Sequence, residues 1–159
     1  MLGVNPTRAD ATQQYALGTE TDHPGAVDFP RNRIRYIRAA GTIAANRAVT
    51  LASDNTSEPN AVVATSATGQ VLEGVTLAAL DSQTSIFGWI TVKGFHGSVL
   101  AAGTWAQGDL LASTSTAGAL IALATSTNVD AAAIPAINGV KISALDTASA
   151  AGSADVVIY

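Results

Sequence analysis

The sequence predicts an all-β protein: a small β-barrel or β-sandwich carrying an extended N-terminal arm. Three observations lead there. Short runs rich in Val, Ile and Thr recur from Ile34 onward. Gly, Asp, Asn and Ser separate these runs at near-regular spacing, as turns do. Ala is abundant and a strong helix former, but Thr, Val and Ser interrupt it so often that no amphipathic helical repeat survives. Many short strands of this kind close into a barrel or stack as a sandwich.

The leading part, residues 1–33, holds three of the five prolines (Pro6, Pro24, Pro30) and shows no sustained period of strand or helix. It reads as an arm with little structure of its own, and Pro24-Gly25 marks a turn within it. The body, residues 34–159, is expected to fold without it. Its strands are placed at Ile34–Ala39, Ala48–Ala52, Ala61–Ser66, Gln70–Leu77, Ile86–Lys93, Ser98–Ala101, Leu110–Ala112, Leu120–Ala124, Val140–Ala144 and Ala154–Ile158. Turns are expected at Asp54-Asn55, Thr68-Gly69, Gln107-Gly108-Asp109 and Ala117-Gly118. Gly108 there supplies a positive φ and Asp109 bonds back to the main chain. Within Asn128–Ile137, one short turn of helix fits before Pro135.

Charge is scarce and unevenly placed. Only 13% of the 159 residues are charged, against roughly a quarter in ordinary domains. The net charge is −4, the wrong sign for nonspecific nucleic-acid binding. Yet Arg31, Arg33, Arg35 and Arg38 bring half of the basic residues into one short stretch. In a strand, Arg31, Arg33 and Arg35 share one face, while Ile34 and Tyr36 share the other. Such a stretch is either a charged edge that keeps sheets from pairing or a docking strip for an acidic protein surface.

Chemistry is hard to find. There is no Cys, which removes disulfides and thiolate metal sites. His23 and His96 lie far apart and have no partner at metal-ligand spacing. His96, in Gly94-Phe95-His96-Gly97, reads as a satisfied or exposed histidine. Asp54 and Glu58 stand close together beside Pro59, too few for a calcium loop. No phosphate loop and no nucleophile elbow occur. No apolar run approaches the roughly 18 residues of a membrane-spanning helix, and the first residues do not resemble a secretion signal. The expectation is a protein that is not an enzyme, with no catalytic residues, no metal and no cofactor. Trp89 and Trp105, the bulkiest apolar residues, fill the core or anchor an oligomer interface.

Several segments belong together. Gly41-Thr42-Ile43-Ala44-Ala45-Asn46-Arg47-Ala48-Val49-Thr50-Leu51 comes first, then Gly74-Val75-Thr76-Leu77 and Gly88-Trp89-Ile90-Thr91-Val92-Lys93-Gly94. Ala106-Gln107-Gly108-Asp109-Leu110-Leu111 and Gly118-Ala119-Leu120-Ile121 follow, before Val140–Ala144 and the closing Ala154–Tyr159. This order of turns and strand types resembles the small capsid decoration, or cement, proteins of tailed bacteriophages. The resemblance spans roughly residues 36–159 and rests on architecture, with no catalytic signature in it.

The resemblance implies a virion structural protein on the outer surface of a phage head, where it stabilises junctions between major capsid subunits. Its partner is then the major capsid protein, with no direct contact to nucleic acid or membrane. The implied assembly is a homotrimer, with a dimer as second choice. Arg31, Arg33, Arg35, Arg38 and Tyr36 become the capsid-binding residues; the arm, residues 1–33, is not part of the resemblance and is separately expected to lie across a neighbouring subunit. Two alternatives stay open: a trimeric phage fibre or spike component, for which the short repeats of a shaft are missing, and a bacterial surface-adhesion subunit, which needs an export signal.

Overall fold

The structure, a computed structural model, describes residues 4–24, 31–52, 61–123 and 141–159. It is all-β, and the described residues hold ten strands in one hydrogen-bonded set. They are β1 (Glu20–Pro24), β2 (Arg31–Ala39), β3 (Ala48–Leu51), β4 (Ala61–Ala64), β5 (Gly74–Thr76), β6 (Phe87–Ala101), β7 (Leu110–Ser113), β8 (Leu120–Ala122), β9 (Ile142–Ala144) and β10 (Gly152–Ile158). The helical turn expected within Asn128–Ile137, the turn at Asp54-Asn55, the Asp54 and Glu58 pair, and Gly25 of the Pro24-Gly25 turn lie outside the described residues.

The strands close twice. β2, β4, β3, β5 and β6 form one ring, sealed where β6 pairs back onto β2. β6, β8, β7, β9 and β10 form a second ring, sealed where β10 pairs back onto β6. Ring closure removes open edges. The long strand β6 belongs to both rings, and the switch falls at Gly94. Up to Lys93 the strand pairs with β2, and from Gly94 onward with β10. Gly94 has φ +104, and a Cβ there would collide with the Asn32 side chain and the Arg31 carbonyl. A side chain at this crossing is therefore excluded by both backbone and space.

The two rings are one unit used twice. Each has a single parallel pair, β2 with β4 and β6 with β8, and every other pairing is antiparallel in the same order. The registers also agree. Val49 faces Ala64 as Leu111 faces Ala122, and Ala48 faces Val75 as Leu110 faces Ser143. Outside the strands, Ile43 exchanges main-chain hydrogen bonds with Leu80 as Trp105 does with Ala148. The turn before the second strand of each unit needs a positive φ, met by Asn46 (φ 59) in one and Gly108 (φ 90) in the other. Asn is among the few side chains that tolerate this region.

Packing follows the pleat. Ile37, Val49, Val62, Leu80, Ile90 and Val92 fill the first ring, in one cluster with Ile43. Val99, Leu111, Leu120, Ile142, Val156 and Ile158 fill the second. Ala48, Leu72 and Val75 of the first unit join that second core, so the rings share buried surface. The hairpin after β7 reaches back across the junction. Gly118 accepts from Ala48 N at 2.9 Å and donates to the Thr65 carbonyl at 2.8 Å.

The leading segment has more structure than expected of an arm. β1 pairs with β2 from Glu20 opposite Arg35 to Pro24 opposite Arg31. Asp10 exchanges two main-chain hydrogen bonds with Phe87, at 2.8 and 2.9 Å. Val4 and Leu17 pack on a third cluster of Ile34, Tyr36 and Trp89. Tyr15 sets its ring 5.2 Å from both Tyr36 and Trp89. The physical reason lies in the second unit. Where the first carries Tyr36 and Phe87, the second carries exposed Ser98 and Ser153. Only the first unit has an aromatic outer face, and residues 4–24 cover it. The expected boundary at residue 33 also falls inside β2, so cutting there would remove part of a ring.

Candidate docking surface

The arginine-rich strand lies at the end of the first ring. Alternation puts Arg31, Arg33 and Arg35 on one face of β2, with Ile37 and Ala39 continuing that face into the barrel core. Exposure therefore falls along the strand. Arg31 and Arg33 are exposed, Arg35 is half-buried at the ring mouth, and Arg38 stands on the opposite face with Ile34 and Tyr36.

Their carboxylate partners come from distant parts of the chain. Arg35 meets Glu20 at 2.9 Å and Glu73 at 3.1 Å. Arg33 reaches Asp22 at 3.5 Å with both side chains about half exposed, an ion pair of little energetic weight. Arg31 stands opposite Pro24, which offers no countercharge. Lys93 faces Arg33 across the ladder and is exposed. Arg31, Arg33 and Lys93 thus form a cationic corner, while Arg35 is held by two carboxylates inside the molecule.

Tyr36 is not on this surface. It is fully buried, and its hydroxyl accepts a hydrogen bond from Gln14 N at 3.1 Å. Burial raises its pKa, partly offset by that hydrogen bond. The place assigned to it among the capsid-binding residues is corrected: Tyr15 and Leu17 occupy the face it presents. Trp89 and Trp105 are buried too, at 2% and 4% exposure. Both take the core role within one chain. Trp89 belongs to the aromatic cluster, and Trp105 Nε1 donates to Asp146 Oδ1 at 2.9 Å. Asp109 has the expected turn role, its carboxylate accepting from Ala106 N at 2.8 Å.

The fold brings the two histidines to one groove of about 350 Å³, lined also by Pro6, Asn32, Asn46, Leu77 and Phe95. His96 lies within β6. It is 4% exposed, with Nδ1 3.0 Å from Thr91 Oγ1 and Nε2 3.1 Å from Asn46 Oδ1. A neutral ring protonated on Nε2 donates to Asn46 and accepts from the Thr91 hydroxyl. Burial pushes its pKa down to about 4. Thr91 is fully buried. His23 Nδ1 is 2.8 Å from the Pro24 carbonyl. Among the described residues, no group of three or more His, Asp or Glu side chains is placed to hold a metal ion. No helix among them is long and apolar enough to cross a membrane.

Sequence reasoning missed the carboxylates Glu20 and Glu73. Their signal is available only in the pairing, since Glu20 stands directly across from Arg35. Compared with known proteins, the chain matches no family model and no curated protein.

Proposed function

We propose that this chain is a virion structural protein that binds the outer surface of a tailed-phage head and stabilises the junctions between major capsid subunits. The observation that carries the reading is the cationic corner of Arg31, Arg33 and Lys93 on an otherwise acidic molecule. A local basic patch on an acidic body suits an acidic protein surface better than nucleic acid, which the net charge repels. The two sealed rings support the reading as well. A body with few open edges can be crowded against many copies without sheet-to-sheet aggregation. The proposed mechanism involves no bond making. Each copy touches more than one shell subunit, and effective concentration ties the junction together. The leading segment serves by pairing β1 with β2 along Arg31–Arg35, which fixes the strand that carries two of the corner's three cations. The second reading, a trimeric fibre or spike component, has no specific observation in its favour.

The test is co-sedimentation with heads that lack the protein. The wild-type chain is expected in the pellet, and the double variant Arg31→Glu with Arg33→Glu is expected to bind at least tenfold more weakly. Equal binding of the two would remove the corner from the mechanism.

A further inference from the structure

The repeat predicts what should lie on the outside of the second ring. In the first unit the outward-facing positions of β3 and β5 are Ala48 and Val75, both fully buried. They are buried because the second unit packs on them, with Gly118 seated between Ala48 and Thr65. That outer face is therefore an interface, made inside one chain. The matching positions in the second unit begin at Leu110, which stands in the register of Ala48. No third unit follows among the described residues, and Leu110 is 48% exposed.

Its surroundings on that face are mixed: the buried Ser143 stands opposite it in the register of Val75, and the exposed Lys141 lies two residues before Ser143, beside Tyr159. Strand alternation places Leu123 and Ile121 beside Leu110, both half-buried. Tyr159, at 63% exposure, extends the same face beyond β10, its main-chain N bonded to the Lys141 carbonyl at 3.0 Å. Two of the four exposed large apolar side chains among the described residues thus share one side of one ring. Open grooved space of about 540 Å³ borders it, lined by Trp105, Ile121 and Leu123. A leucine where the buried counterpart has alanine is not the choice for a solvated position, and Tyr is enriched where proteins meet.

We infer that the outer face of the second ring, centred on Leu110 and Tyr159, is the contact surface between copies of this chain. The occupant is a second copy, because this chain already covers the equivalent face of its own first unit. The inference deepens the functional reading by naming the surface that a homo-oligomer uses. The two fail separately, since mass in solution is read without heads.

Light scattering after size exclusion measures it. The wild-type chain is expected at two or more times its 16.0 kDa mass at tens of micromolar. Leu110→Lys and, separately, Tyr159→Lys are expected to run as monomers with unchanged circular dichroism and melting temperature. A monomeric wild type at that concentration would overturn the inference. So would variants that keep the oligomer. A Leu110→Lys chain that keeps its mass but melts several degrees lower would also overturn it, by showing that the chain's own residues cover the face.

Discussion

Lowering the pH should destabilise this protein through His96 well before most carboxylates are neutralised. The ring is 4% exposed and sits between Thr91 and Asn46, and burial brings its pKa from 6.5 to about 4. The unfolded chain therefore binds this proton below about pH 6.5, and the folded chain binds it only near pH 4. Stability is fully present above the unfolded value. It is lost as pH falls between the two values and levels off below the lower one. A shift of this size corresponds to roughly 3 kcal/mol in all, of which about 2 kcal/mol is gone at about pH 5. For a chain of this length, that loss lowers the melting temperature by about 4–8 °C. Urea unfolding at several pH values, run in parallel on His96→Gln, isolates the effect. Both proteins share the carboxylate contribution, so the wild-type curve should fall more steeply from neutral pH to about pH 5, and the difference should be near 2 kcal/mol. Parallel curves would refute the reasoning, as would an NMR titration placing the His96 midpoint near 6.5.

The aromatic face makes a second test. Trp89→Ala should cost about 3–5 kcal/mol in urea unfolding, and Tyr15→Ala, which removes only the partly exposed covering ring, about 1–2 kcal/mol. The arginines should separate by role. Arg35→Ala leaves the Glu73 carboxylate without its 3.1 Å partner and should cost about 1–3 kcal/mol, whereas Arg31→Ala should leave urea unfolding unchanged and weaken only head binding.

Most of the strands were legible because their turns are chemically marked. Gly69, Gly108 and Gly118 all take positive φ, where the sequence placed turns. β6 is instructive. Gly94 and Gly97 read as a break between two strands, and the physical event there is a change of partner within one strand. β1 gave no signal, since Glu20-Thr21-Asp22-His23-Pro24 has no apolar alternation. Cross-strand ion pairs and the main chain hold it. The expected span Gln70–Leu77 is longer than the strand itself, Gly74–Thr76.

The repeat was hidden by composition. Ala39-Ala40-Gly41-Thr42 returns as Ala101-Ala102-Gly103-Thr104, but small residues are so common here that the match does not stand out. Elsewhere the units diverged in chemistry while keeping register, as with Ala48 and Leu110. The docking surface was half legible. Alternation placed Arg31, Arg33 and Arg35 together, but only the fold could show that Glu20 and Glu73 hold Arg35 or that Tyr15 covers Tyr36.

We propose that this molecule works by being fixed among shell subunits. Image reconstruction of heads before and after addition of the purified chain tests that most directly. Added density is expected on the outer surface, bridging neighbouring capsid subunits, with the β2 corner turned toward the shell. Saturated heads that show no such density, or density confined to the interior, would contradict it.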